Sequence, residues 1–108
     1  MDEKDLRKKI IEALKQVKDP EFNYNIVEMG IVYRINVDKD KKHADVVMSL
    51  TTPFCPYGGS ILSEVQEKLR GIQELDTINV DVVFEPAWNP DFMHEEPEKK
   101  LLETGVFK

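Results

Sequence analysis

The sequence predicts a two-layer α+β sandwich, a small three-stranded sheet with two main helices on one face, followed by a C-terminal tail. Three observations carry this prediction. Apolar residues recur at helical spacing in two segments and alternate with a period of two in three others. The segments follow in the order helix, strand, strand, helix, strand. A chain of 108 residues, 41% hydrophobic and 33% charged, supplies one modest core, and residues 1–108 read as a single domain.

The first helix is expected from about Asp5 to Val17, because Leu6, Ile10, Ala13, Leu14 and Val17 make one apolar stripe. Asp2 or Asp5 is placed to cap it, and Asp19-Pro20 stops it, since proline drives the preceding residue out of the helical region. In the first strand Ile31, Tyr33, Ile35 and Val37 alternate with Val32, Arg34 and Asn36. In the second, Ala44, Val46, Met48 and Leu50 alternate with Asp45, Val47 and Ser49. The polar stretch Asp38–His43 is of hairpin length, so these strands pair antiparallel. A second helix is expected from near Tyr57, with Ile61, Leu62, Val65 and Leu69 as its stripe and Gly71 at its end. The third strand runs from Ile78 to Phe84, and a short helix is expected around Glu98–Glu103. The expected core is Ile10, Leu14, Val46, Met48, Leu62, Val65, Leu69, Val80 and Val82. The far face of the sheet should be polar, with Arg34, Asn36, Asp45, Ser49, Asn79 and Asp81. Val32, Val47 and Val83 break that polarity and call for cover from the tail or a second subunit.

Composition narrows the function classes. The net charge is −6, with 15 basic residues against 21 acidic ones, the wrong sign for a phosphate backbone, so no nucleic acid is expected as a partner. No apolar run approaches the roughly 18–20 residues that cross a bilayer, so no membrane association is expected. The charged start, Met1-Asp2-Glu3-Lys4-Asp5, is not a secretory signal. With a single cysteine, which forms no internal disulfide, the expected location is cytoplasmic.

The unusual chemistry is concentrated in Leu50-Thr51-Thr52-Pro53-Phe54-Cys55-Pro56-Tyr57-Gly58-Gly59, between the second strand and the second helix. Pro56 suits the first helical position, which puts Cys55 at the N-cap or beside it. The free N–H groups and partial positive charge there favour thiolate over thiol. The bland alternative is a small buried hydrophobe flanked by ordinary turn and capping residues. Asp19-Pro20-Glu21 reads locally as a helix stop, and Glu28-Met29-Gly30 as a turn before a strand. Trp88, between Pro86 and Pro90, reads as an aromatic anchor that either caps the core edge or covers a site. His43 and His94 lack metal-ligand spacing with Cys55 and read as solvated.

Together these segments resemble the iron–sulfur assembly domain family of the SufT and PaaD-like proteins. The resemblance rests on Asp19-Pro20-Glu21, on Ile26-Val27-Glu28-Met29-Gly30-Ile31-Val32-Tyr33, on Thr51-Thr52-Pro53-Phe54-Cys55-Pro56, and on Glu85-Pro86-Ala87-Trp88-Asn89-Pro90. It covers about Leu6 to Leu102, with the motifs in the family's order. It implies a compact α+β fold and a role in maturing iron–sulfur proteins rather than in turning over a metabolite. It also implies a site built on Cys55, the metal-binding thiol, with Thr51, Thr52 and Asp19 as cofactor-binding companions; Glu28 and Trp88 fall on further motif positions. Met29 replaces the more usual leucine. Ala87 and Asn89 stand where proline and threonine are more usual, which puts a role for residue 89 in doubt.

A [2Fe–2S] or [4Fe–4S] cluster takes about four ligands, and this chain has one thiol. Either two chains share a cluster in a bridged homodimer, or small thiols or a client protein complete the ligand set. Incomplete ligation favours transient carriage. The implied partners are the iron–sulfur assembly machinery and client apoproteins. Two other classes stay open at this point. One is an adaptor that never touches the metal, with Trp88, Phe92 and Met93 as interface anchors. The other is a small cysteine-dependent enzyme, the weakest reading because no base accompanies the thiol in sequence.

Overall fold

The structure is a computed structural model that describes residues 2–54 and 56–108. Its elements are α1 (Glu3–Leu14), β1 (Val32–Asp38), β2 (His43–Met48), α2 (Gly58–Arg70), β3 (Thr77–Val82), a 3-10 helix (Pro90–His94) and α3 (Pro97–Thr104). The sheet order is β1-β2-β3. The hairpin makes β1 and β2 antiparallel, and the crossover through α2 brings β3 back parallel to β2. α1 packs against β1 and α2 against β3, and the two helices also touch each other. This is the α+β arrangement that the element order predicts.

Local chemistry explains the helix ends. The Asp2 carboxylate accepts from Asp5 N at 2.8 Å and caps α1. α1 closes at Leu14, three residues before the expected end. Tighter turns, in which Gln16 N donates to Ala13 O at 3.1 Å and Val17 N to Leu14 O at 3.0 Å, carry the chain toward Pro20 and keep Val17 buried. α2 begins one residue later than expected. Its N-cap is Tyr57, without a side-chain cap hydrogen bond, so Pro56 precedes the helix instead of opening it. The expected N-cap position of Cys55 falls on a residue outside the described ones.

The core holds Ile10, Leu14, Val46, Met48, Val65 and Leu69 as expected, whereas Leu62, Val80 and Val82 are only half-buried. β3 has a sheet neighbour on one side alone, so its inward side chains lack cover on the other. Two further departures share one cause. The β1–β2 register slips between Val32 and Arg34, a bulge that buries Val32 and Tyr33 consecutively. Ser49, expected on the polar face, is drawn into the interior, where its N–H donates to Ile31 O at 2.7 Å and its hydroxyl to Leu50 O at 3.1 Å. Arg34, Asn36, Asn79 and Asp81 remain exposed, as the alternation requires. His43, expected in the hairpin loop, opens β2 instead, with Nδ1 2.7 Å from the Thr77 hydroxyl and Nε2 3.1 Å from Asp45.

The outer edge of β1 is covered by the chain's own end. Ile35 N donates to Gly105 O at 2.7 Å and Phe107 N to Tyr33 O at 2.8 Å. Gly105 turns the chain out of α3 with φ +77°, and a Cβ there would lie 2.6 Å from Ile35 O.

Topology now locates the site. β1 is antiparallel to β2, and β3 is parallel to it, so β1 starts where β2 and β3 finish. The turn before β1, the loop after β2 and the loop after β3 therefore emerge at one end of the sheet. These are the Glu28–Gly30, Thr51–Pro56 and Glu85–Pro90 segments.

Candidate functional site

The fourth segment, at Asp19, is fastened to the same end by Trp88. The Trp88 indole N–H donates to Met29 O at 2.7 Å, and its ring meets Phe22 edge-on with centroids 5.4 Å apart. Trp88 thus holds together the Asp19–Phe22 loop, the turn before β1 and its own loop. It is half-buried, which fits the core-edge reading of the residue. Tyr33 adds a second tie, its hydroxyl donating to Pro86 O at 2.9 Å. Sequence reasoning assigned Tyr33 to the core and missed this bond, because only the fold brings residues 33 and 86 together.

Asp19 is more than a helix stop. It is 1% exposed. Its Oδ1 accepts from Glu21 N at 2.8 Å and Phe22 N at 3.4 Å, and its backbone closes the loop through Asp19 N to Tyr24 O at 3.0 Å and Asn23 N to Asp19 O at 2.8 Å. Oδ2 is buried with no hydrogen-bond partner among the described residues. A buried carboxylate oxygen without a donor costs free energy unless something outside the fold compensates it.

The threonines differ. Thr52 is exposed, and its hydroxyl accepts from Phe54 N at 3.2 Å, a local turn bond. Thr51 is half-buried at the end of the strand connection that runs through buried Leu50. Phe54, on one side of Cys55 in sequence, is 90% exposed, and Tyr57 on the other is 43% exposed. The uncapped start of α2 has no acidic residue in its first turn, so its partial positive charge is left unopposed from within the helix. The expected thiol ligand, Cys55, lies outside the described residues. Among the described residues no three His, Asp or Glu side chains are grouped to hold a metal ion.

Glu28 lines a surface cavity of about 470 Å³ together with Tyr24, Met93, His94, Glu96 and Pro97. Asn89, whose role the resemblance left in doubt, caps the 3-10 helix by accepting from Asp91 N at 2.8 Å. The anchors of the adaptor reading are less available than that reading needs. Trp88, Phe92 and Met93 are all half-buried, and Phe92 packs edge-on against Tyr33 and Phe107 with Lys108 Nζ 4.2 Å from its ring centre.

A family model described as "Iron-sulfur cluster assembly protein" matches residues 7–82. The chain belongs to this family. Asp19, Glu28, Thr51, Thr52 and Cys55 fall within the matched segment and Trp88 beyond it. Among individual relatives, a "Fe-S protein maturation auxiliary factor" of Porphyromonas gingivalis is 35% identical over 96 residues, covering 89% of this chain and 88% of that one. The "Fe-S protein maturation auxiliary factor SufT" of Staphylococcus aureus is 40% identical over 77 residues, covering 71% and 86%. A solved domain of unknown function from Bacillus anthracis superposes with a TM-score of 0.77 at 32% identity, covering 90% of this chain and 92% of that one. The family fold is therefore the fold described above. No helix among the described residues is long and apolar enough to cross a membrane.

Two substitutions test how this end of the sheet is held. Gly30, in the turn before β1, has φ +77°, and a Cβ there would lie 2.9 Å from Phe92 Cβ and 3.0 Å from a Phe107 ring carbon. Gly30→Ala is expected to cost about 2 kcal/mol, from left-handed strain and the displaced rings. Urea denaturation should show a lowered midpoint with an unchanged slope.

The stability that Tyr33 contributes at this end of the sheet is lost at alkaline pH. Burial pushes its phenol above the ordinary value of about 10, with Ser49 pulling the other way. A folded-state pKa raised in this way contributes stability that is complete below about pH 10 and is lost as pH rises through the folded value. Tyr33→Phe should cost about 1 kcal/mol near neutrality through the lost bond to Pro86 O. The difference between wild type and variant, measured by denaturation from pH 7 to 11, should shrink above about pH 10.

Proposed function

We propose that this chain is an iron–sulfur maturation factor that holds a cluster transiently through Cys55 and delivers it to client apoproteins, with Thr51, Thr52 and Asp19 completing the site. Membership of the assembly family and the names of two full-length relatives support the maturation role. The observation that carries the site reading is the Asp19 carboxylate, buried with Oδ2 unpartnered among the described residues and fastened through Phe22 and Trp88 to the sheet end from which the Thr51–Pro56 loop leaves. Such an oxygen, in a segment fastened to the sheet end from which the thiol-bearing loop leaves, suits a site whose cargo supplies the missing partner.

The cluster is cargo in this reading, and the chain's own residues do little chemistry on it. A thiolate anchors iron, the helix start that follows Cys55 in sequence favours that thiolate, and the hard oxygen donors of Thr51, Thr52 and Asp19 bind weakly enough to release. One anchoring thiol leaves iron sites for a client's cysteines to take over, so exchange proceeds by ligand replacement without a redox step. Phe54 and Tyr57, exposed on either side of Cys55 in sequence, are apolar surface for a client to cover during the exchange.

The test is transfer. The chain is loaded anaerobically with ferrous iron, sulfide and a small thiol, freed of excess reagents, and mixed with an apo iron–sulfur enzyme in the presence of an iron chelator. The expected result is a visible chromophore on the loaded chain and client activity that appears faster than with the same iron and sulfide free in solution. A colourless chain overturns carriage. A coloured chain whose iron goes to the chelator and never to the client overturns delivery.

A further inference from the structure

We propose that the outer edge of β3 is a self-association surface on which a second copy of this chain lays its own β3 antiparallel, joining two sheets into one. The edge is open. β1's outer edge is occupied by Gly105–Phe107, while β3 has no strand partner on its far side among the described residues. Thr77 N and Val83 N donate inward, to Lys42 O and Met48 O. Alternation along the strand then turns the N–H and C=O groups of Ile78, Val80 and Val82 outward, toward the open side.

The occupant follows from the pattern of the strand, Thr77-Ile78-Asn79-Val80-Asp81-Val82, which is self-complementary about Val80. With a two-fold axis at Val80, that residue faces its own copy and Ile78 faces Val82 of the second copy. These are the residues whose backbone groups point outward, so each facing pair exchanges both of its hydrogen bonds. The same register brings together the half-buried Ile78, Val80 and Val82 side chains of both copies, covering apolar surface that β3 leaves exposed in the single chain. On the other face Asn79 stands opposite Asp81 of the second copy, an amide donor against a carboxylate. Within one chain the two groups already show that complementarity, Asn79 Nδ2 donating to Asp81 Oδ2 at 3.1 Å. A charged residue in an edge strand normally discourages pairing. Here the carboxylate meets an amide when the partner is a copy of this chain.

The antiparallel arrangement sets the two sheet ends from which the loops after β2 leave at opposite ends of the joined sheet, so each remains open to a client. This association needs neither metal nor thiol, and its failure would leave the carriage reading untouched.

Sedimentation equilibrium of the apo chain, with chelator and reductant present, reads the association directly. The expected result is a mass rising from one chain to two with concentration. Asn79→Asp sets like charges opposite each other twice over and should weaken the dimer about tenfold, while Asn79→Lys should tighten it by a similar factor at low salt. Asn79 is exposed, so both variants should fold. Cys55→Ser should leave the association unchanged. A single-chain mass at every concentration overturns the proposal and leaves the edge to some other partner. So does a response of the same sign to both Asn79 substitutions, or loss of the dimer in Cys55→Ser.

Discussion

Cys55→Ser is expected to remove the cluster chromophore on anaerobic reconstitution, reducing bound iron and sulfide by more than tenfold. Thiolate is the soft donor that iron in a cluster requires, and the chain carries no second cysteine to substitute for it. The hydroxyls of Thr51 and Thr52 are hard, protonated donors and cannot take over. Asp19→Asn is the informative companion. It preserves shape and leaves an oxygen to accept from Glu21 N and Phe22 N, but removes the charge whose second oxygen is unpartnered. It should lower loading by a few-fold, well short of the cysteine variant, because a carboxylate is the poorer partner for this metal. Circular dichroism on both variants separates loss of cargo from loss of fold. Light scattering on the loaded wild type without added thiol distinguishes the two ways of completing the ligand set. Bridging by two Cys55 thiolates raises the mass above that of the apo form at the same concentration, and added small thiol reverses it. A chromophore that survives Cys55→Ser would remove the thiol from the site altogether.

Val46→Asp should be the most damaging single change to the fold. Val46 is fully buried in the middle strand, paired with Ile35 on one side and Val80 on the other. A carboxylate there has no donor and no water, and its burial should cost about 4–5 kcal/mol or more, on the order of the whole margin of a small domain. The expected result is a chain without a cooperative unfolding transition at 25 °C. Val80→Asp makes a sharp contrast, since the half-buried edge position lets the carboxylate reach solvent and should cost less than half as much. Equal loss of the folded state in the two variants would contradict the placing of β2 inside and β3 at the edge.

The contrast between those valines shows what periodicity conveys. Alternation in β2 and β3 is equally clean in sequence, and both strands form in the expected segments, each starting one residue earlier and ending two residues earlier than the alternation runs. Alternation reports which face of a strand is apolar but not whether a neighbour lies on its far side, so Val80 and Val82 were expected in a core that only half covers them. The bulge at Val32–Arg34 escaped for a related reason, since register is a property of two strands and a period of two is a property of one. At the site, motif order identified the family from Asp19, Glu28 and the Thr51–Pro56 loop, a grouping the family model independently spans. Local reasoning alone undervalued Asp19, because a helix stop before proline explains an aspartate without asking where its oxygens go.

The amino-acid sequence by itself determined the element order, the stripes of α1 and α2, the antiparallel hairpin and the family, and it singled out the residues of the candidate site. These follow from interactions between near neighbours along the chain, or from motifs that need no coordinates to be read. The tertiary structure alone decided that Trp88 clasps the Asp19 loop to the turn at Gly30, that Tyr33 reaches Pro86, and that, among the described residues, Asp19 Oδ2 is buried without a partner and β3 is left with an open edge. Each depends on segments far apart in sequence meeting at one end or one side of the sheet. That meeting is set by the hand of a crossover and the register of a bulge, which no single segment encodes.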